Sequence, residues 1–493
     1  MESQRIALTF DDVRLKTCYS EVLPASVNLS SRFSRNVPLK IPVVSSPMDT
    51  VTEHAMAIGM AKLGGLGIIH KNLDVVDQVA EVRKVKRHLH GLIEDPVTVF
   101  ADVSLQEVLA MRDQHKYSFH SFPVVDREGR LVGILTQDHF DFDGALRADA
   151  LVSDVMTKEP LVAVPETTLE DAYRWMVQVR KKMLPLVDAD RYVKGLYVWG
   201  DVVRMQSGRS DLFNVDAKGR LRVGAAVGVY NDAFTRVAAL LSEGVDVVVV
   251  DTAHGDSKGV IETVRALKDQ YTSLDVVAGN VSQGSSAKHL LDAGADGIKV
   301  GQGPGSICTT RIVAGVGCPQ VSAVYRCVQA VGNNVPVCAD GGLRFSGDVA
   351  IALATGATSV MMGSMLAGTK ESPGELIFYD GRQRKAYRGM GSLGAMRAHR
   401  ASADRYLQGG SGSDKFVPEG VEGLVDYRGE LSSVLHQYMG GLRASMGYLG
   451  AANVEMLQEH ADFDYLTGAG MQESHPHDIQ ITHEAPNYPG GGR

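Results

Sequence analysis

No stretch of this 493-residue chain is apolar for long enough to cross a bilayer, and the opening MESQRIALTFDD carries acids early with no apolar segment of a secretory signal. A cytoplasmic, reducing location and no membrane partner are therefore expected. Cysteine is scarce: Cys18, Cys308, Cys318, Cys327 and Cys338 are an odd number with no CxxC pair, which fits neither a disulfide framework nor a zinc site. A basic excess is also missing, since 50 Lys and Arg face 58 Asp and Glu for a net charge of −8, which argues against nucleic acid as the main partner. What remains is a soluble globular composition, 44% hydrophobic and 22% charged, in a chain long enough for one large domain and at least one smaller module.

One pattern recurs along the chain. A helical run, a turn of the form Gly-Val/Ala-Asp or a variant, and a short apolar strand appear in LLSEGVDVVVVDTAHGDS (240–257), LLDAGADGIKVGQGPGS (290–306) and ALATGATSVMMGSMLAGT (352–369). Strands of the same kind are VVSS (43–46), LGIIH (66–70), LDVVAGN (274–280) and VPVCADGG (335–342), without the alternation of a half-exposed sheet. Adding AYRGM (386–390) as the last strand gives eight, which predicts a closed (β/α)8, or TIM, barrel over residues 1–92 and 206–493. On that count the cysteine loop 303–311 follows strand five, and two glycine turns follow strands six and seven, all on the catalytic rim.

Residues 93–205 interrupt the barrel pattern with a tandem repeat of their own. DPVTVFADVSLQEVLAM is echoed by EPLVAVPETTLEDAYRWM, and FPVVDREGRLVGILTQDHF by LPLVDADRYVKGLYVWGDVV, which predicts one inserted domain of two similar halves. A second irregular segment, 391–424, is rich in Gly and Ser yet carries Arg405, Tyr406, Lys415 and Glu419, and is expected to act as a flap over the site.

Cys327 (YRCVQ) and Cys338 (VPVCAD) lie in apolar surroundings and read as small core residues. Cys308 does not. In GPGSICTTR, Gly303, Pro304 and Gly305 make a tight turn that lets backbone approach a ligand, and a thiol held there is accessible to act as a nucleophile. Downstream, ADGG (339–342) and MGSMLAG (362–368) offer the amides of Gly341, Gly342, Gly363 and Ser364 to a phosphate, with Asp340 placed to accept from ribose hydroxyls. Asp251 ends a buried strand as a carboxylate able to reach a second ribose, whereas His254 has no partner at metal-binding spacing and is expected to be structural.

GPGSICTTR, ADGG, MGSMLAG, YRGMGSLGAM, RY and VPEGVEG, with LTFDDV, SSPMDTVTE and AGMQESHPHD at the two ends, together resemble the IMP dehydrogenase and GMP reductase family over nearly the whole chain. The insertion resembles a pair of CBS modules. For a dehydrogenase, the resemblance implies that Cys308 adds to C2 of IMP, that hydride leaves to NAD, and that the covalent thioimidate is hydrolysed to XMP with Thr310, Arg405 and Tyr406 activating water. It places Ser306, Asp340, Gly342, Gly363, Ser364 and Tyr387 on phosphate and ribose, Met390, Gly391 and Glu419 on the base, and Asp251 and Asn280 on the dinucleotide. It further implies a potassium ion held by carbonyls of Gly303, Gly305 and Cys308 with Glu473, Ser474 and His475 of a neighbouring subunit, hence a homo-oligomer, tetramer or octamer. ATP- or GTP-type nucleotides would bind the CBS pair near Asp138 and Asp201, although TQDHF and VWGD depart from the usual spacing and hydroxyl.

The alternative within the family is a GMP reductase, in which the same thiolate displaces ammonia and NADPH delivers hydride. Leu393 stands where the usual reductases carry a glutamate, and Arg405 with Tyr406 has a purpose only if water is activated; both favour the dehydrogenase. Asp256, where histidine is commoner, and Gln302, where an apolar residue is usual, are departures near the presumed cofactor or ion site.

Overall fold

The structure, a computed structural model, describes residues 6–89, 92–93, 96–114, 117, 119, 121–143, 149–200, 202–203, 211–406, 415–483 and 485–488. The chain divides into two compact units, residues 1–86 with 211–493 and residues 87–210.

In the larger unit, strands β1 (Val43–Ser45), β2 (Leu66–Ile69), β3 (Gly224–Val227), β4 (Val247–Asp251), β5 (Asp275–Val281), β6 (Gly297–Val300), β7 (Val337–Asp340) and β8 (Ser359–Met362) close into a parallel barrel. The ring is completed where β8 pairs with β1, Met362 opposite Ser45. The repeated sequence pattern now has a mechanism. Gly244, Gly294 and Gly356 take φ of 79°, 94° and 111°, which only glycine adopts without strain, so each ends a helix and turns the chain into the strand that follows. Val247 to Val250 are fully buried, as a strand covered on both faces requires, and Phe33, Leu66, Val249, Val277, Cys338 and Met361 share one core cluster. Burial pushes the thiols of both Cys327 and Cys338 up to about 12, so neither is a nucleophile.

Membership of the barrel departs from expectation at one strand. AYRGM is not in the ring: Ala386 to Arg388 end β10 (Arg382–Arg388), the middle of an antiparallel sheet with β9 (Leu376–Tyr379) and β11 (Glu422–Asp426). The missing barrel strand is β3, with the sequence Gly-Ala-Ala-Val. Small residues have weak strand preference and β3 lacks the β-branched signature, whereas β10 alternates in burial as a half-exposed antiparallel strand does. The cysteine loop therefore follows the sixth strand, not the fifth, and the glycine turns follow the seventh and eighth, where barrels most often hold phosphate.

The smaller unit displays its internal repeat as topology. In the first half Val99–Phe100 pairs in parallel with Phe122–Val125, which forms a hairpin with Leu131–Leu135, and Leu105–Gln114 is the intervening helix. In the second half a parallel bridge from Ala163 to Leu186, the helix Leu169–Val179 and the hairpin Met183–Val187 with Val193–Val198 repeat that order. Leu92–Ile93 pairs with Val193–Val198, so the unit begins slightly before residue 93. Among the described residues no helix is long and apolar enough to cross a membrane.

Candidate active site

Arg311, the last residue of GPGSICTTR, braces the loop from within. Its Nε donates to Gln302 O at 3.1 Å and its Nη2 to Cys318 O at 2.5 Å, and a Cβ at Gly303 would meet Arg311 Cγ at 2.6 Å. The segment 419–421 is zipped to the other side: Thr309 N donates to Glu419 O at 2.9 Å and Val421 N to Ile307 O at 3.0 Å. Cys308 is consequently fixed but half-exposed. Its thiol donates to Thr310 Oγ1 at 3.1 Å, and the Thr310 hydroxyl donates to Glu419 Oε2 at 2.7 Å, a chain along which a proton can leave sulfur.

Two adjoining cavities open on this face. The first, about 120 Å³, is lined by Cys308, Thr310, Asn280, Met390, Glu419 and the Arg405–Tyr406 pair. The second, about 140 Å³, is lined by Ser306, Gly341, Gly342, Gly363, Ser364 and Arg344. Asp340 and Tyr387 line both. Tyr387 is 5% exposed, its hydroxyl contacts Ser306, and burial holds its pKa above the ordinary phenol value. Gly341 and Gly342 have φ of 85° and 81°, so the turn after β7 exposes backbone where side chains would otherwise stand.

Beneath the cavities lies a residue that motif reading missed. Lys299, in β6, is 0% exposed, and its Nζ sits 2.8 Å from Asp251 Oδ1 and 2.7 Å from Asp340 Oδ2. Asn280 Nδ2 also donates to Asp340 Oδ2, at 2.9 Å, and to Gly301 O at 2.7 Å, while its Oδ1 is buried with no hydrogen-bond partner. That free acceptor in the wall of the first cavity suits a polar ligand. The signal for Lys299 was a charge inside the apolar strand DGIKV. Arg344 was missed as well; it lines the second cavity while held by Asp11 at 2.9 and 2.5 Å.

Arg405 and Tyr406 stand at the end of the short helix Arg400–Arg405. The Arg405 guanidinium is ion-paired with Asp251, and Ala253 N donates to Arg405 O at 3.2 Å. Burial lowers the pKa of Arg405 from its ordinary value, with Tyr406 acting in the opposite direction. Burial raises that of Tyr406, which keeps the phenol protonated. Lys71, on the loop after β2, is brought down to about 8 by burial and by the charge of Arg405.

The remaining expected residues are distributed as follows. Asp251 lines neither of the two cavities but stands behind the first one, between Lys299 and Arg405. Gly391 lies against the Tyr406 ring, where a Cβ would come within 2.7 Å of Tyr406 Cζ and push the ring aside. Gly303 and Gly305 line the first cavity, and the Gly305 carbonyl accepts from Cys308 N at 3.1 Å. Glu473, Ser474 and His475 of the same chain are elsewhere, at the end of the helix Gly468–Glu473, where the His475 ring meets Phe345 at 6.0 Å and its Nδ1 is 2.7 Å from Tyr488 OH. Leu393 begins the helix Leu393–Ala398 and lines neither cavity. Asp256 pairs with His289 Nδ1 at 2.9 Å, and Gln302 lines the first cavity while accepting from Ser282 Oγ at 2.6 Å. Asp138 is exposed on the smaller unit, and Asp201 lies outside the described residues.

Barrels of this kind keep their chemistry at the C-terminal ends of their strands, and a cavity there lined by a thiol, a carboxylate and an arginine–tyrosine pair defines a barrel enzyme. The comparisons carry this further. The model of the IMP dehydrogenase / GMP reductase domain matches residues 7–477, and the chain belongs to that family. It is 51% identical over 485 residues to the inosine-5′-monophosphate dehydrogenase of Aquifex aeolicus, covering 98% of this chain and 97% of that one. The enzyme of the same name from Helicobacter pylori (strain 26695) is 50% identical, with 98% and 99% covered. Among solved structures, a cysteine-to-alanine variant of GMP reductase from Trypanosoma brucei in complex with guanosine 5′-monophosphate superposes with a TM-score of 0.86 at 39% identity, covering 97% of this chain and 99% of that one.

Proposed function

We propose that this chain oxidises IMP to XMP, with Cys308 Sγ forming a covalent bond to purine C2. The observation that carries the reading is the convergence on one cavity of the thiol, its Thr310–Glu419 chain and the Arg405–Tyr406 pair, with Leu393 outside it. Addition of the thiolate makes C2 tetrahedral, and the thiol proton passes toward Glu419 through Thr310. NAD supplies the acceptor for the hydride that C2 then loses. Hydrolysis of the resulting thioimidate needs an activated water, and Arg405, whose pKa burial lowers, takes that proton with Tyr406 beside it.

The second cavity holds the nucleotide phosphate on Ser306, Gly342, Gly363 and Ser364, with Asp340 accepting from ribose and Tyr387 closing the wall. Met390 and Glu419 meet the base. Asn280, with its unpaired carbonyl, and Asp251 serve the dinucleotide, and Asp251 does so when Arg405 is off it. A potassium ion would be held by the carbonyls of Gly303, Gly305 and Cys308 and completed by Glu473 to His475 of a second copy in a tetramer or octamer. The smaller unit is read as a tandem CBS module that binds ATP- or GTP-type nucleotides.

The test is an absorbance assay at the nicotinamide band with IMP plus NAD and with GMP plus NADPH. NADH formation with the first pair is expected. NADPH consumption with the second pair alone would establish the reductase, the activity named for the Trypanosoma brucei structure.

A further inference from the structure

The cation between the two halves of the site is the feature that the proposed reaction leaves without a role. Lys299 is fully buried and has two carboxylate partners that belong to different places: Asp340 lines both cavities, while Asp251 stands behind the first and holds Arg405. The four groups form a row, Arg405, Asp251, Lys299, Asp340, in which positive and negative charges alternate and sum to zero. Removal of Arg405 leaves one ammonium to compensate the buried Asp251 and the cavity-lining Asp340. Removal of Lys299 would leave Asp251 and Asp340 without the ammonium between them, and the repulsion of like charges in a largely buried site favours protonation of one.

We infer that Lys299 is a positioning residue that keeps Asp251 and Asp340 ionised and oriented, and so couples docking of Arg405 to binding of the mononucleotide ribose. This rests on the reading of Asp340 and Asp251 given above. A protonated Asp340 presents a donor where the ribose hydroxyl needs an acceptor, and a protonated Asp251 loses its hold on Arg405. Around the row, Cys338 and Tyr387 are held protonated by burial through the acid range, and Lys71 and Tyr406 beside Arg405 change charge only above neutrality. Glu419, which lines the first cavity with Asp340, is common to the wild type and to every variant below, so a limb that differs between them reports the row itself.

The experiment measures kcat/KM for IMP against pH in the full-length enzyme. Lys299→Met is expected to lose on the order of 10²-fold at pH 7 and to move the acidic limb upward by about one pH unit or more. Lys299→Arg should restore most of the activity and the original limb. Asp251→Asn, which removes a carboxylate outside the nucleotide cavity, should move the IMP limb downward because the whole ammonium then serves Asp340. If Lys299→Met fails to fold, the Asp251→Asn shift decides alone. A limb unmoved in both Lys299→Met and Asp251→Asn, or a Lys299→Arg enzyme as impaired as Lys299→Met with an unshifted limb, overturns the inference. A wild-type enzyme inactive with IMP would instead remove the functional reading on which it rests.

Discussion

Asp251, Asn280, Lys299 and Asp340 stand on barrel strands, and neighbouring strands and one buried ammonium fix them in place. Arg405 ends a six-residue helix, with Tyr406 next after it, and the segment is tied to the same cavity by the Asp251 ion pair, a backbone hydrogen bond from Ala253 and a hydrogen bond from Ser402 Oγ to Met390 O. The floor is therefore preorganised, while the cover is held by contacts that can be exchanged singly. Such a division suits a reaction in two stages. Nucleophilic addition needs fixed geometry, and hydrolysis needs a group that arrives once the first product has left.

The largest expected effect removes the thiol that works above the floor. Cys308→Ala should abolish turnover by on the order of 10⁴-fold or more and eliminate the covalent adduct in intact-mass spectra, with the melting temperature nearly unchanged because the thiol is half-exposed. Breaking the cover should separate the stages instead. Arg405→Gln is expected to keep a rapid burst of NADH but lower the steady state by about 10²- to 10⁴-fold, visible in stopped flow. Burial lowers the pKa of Arg405, so its neutral fraction grows as pH rises. The hydrolytic rate should accordingly climb with pH in the wild type, and the slope should flatten in Arg405→Gln.

A gentler perturbation sharpens the same contrast. Gly391→Ala introduces a Cβ within 2.7 Å of Tyr406 Cζ, which displaces the ring without touching Cys308. About a tenfold fall in steady-state rate with an intact NADH burst is expected from single-turnover and multiple-turnover kinetics. The smallest effect on activity comes from the far end of the barrel. Burial opposes ionisation of Asp216, but hydrogen bonds and charge from Arg220 and Lys86 prevail and hold it at about 2. Its folded-state value lies below the unfolded one, so its stabilisation is present above about pH 4 and is lost as pH falls through 2. Asp216→Asn should cost about 2 kcal/mol in urea unfolding at pH 7, close to nothing near pH 2, and leave kcat as it was.

Legibility in the sequence followed the range of the interactions involved. Cys308, the glycine turns and the helix-to-strand repeats were readable because each depends on neighbours within a few residues, such as Gly244 turning directly into β4. The tandem character of 93–205 was readable for the same reason. Arg311 was visible only as the end of a motif, and its bracing of Gln302 and Cys318 required the folded loop. β3 escaped because Gly-Ala-Ala-Val has little strand preference of its own; its place is set by pairing with β2 and β4.

Lys299 marks the boundary most clearly. The sequence by itself determined that a thiol would sit on a glycine loop among phosphate-binding turns, since turn chemistry is local. Only the tertiary structure decided that a lysine in DGIKV would bridge Asp251 and Asp340, because those partners come from other strands and meet it only when the barrel closes. The chain order contains no record of which strands become lateral neighbours across a closed sheet.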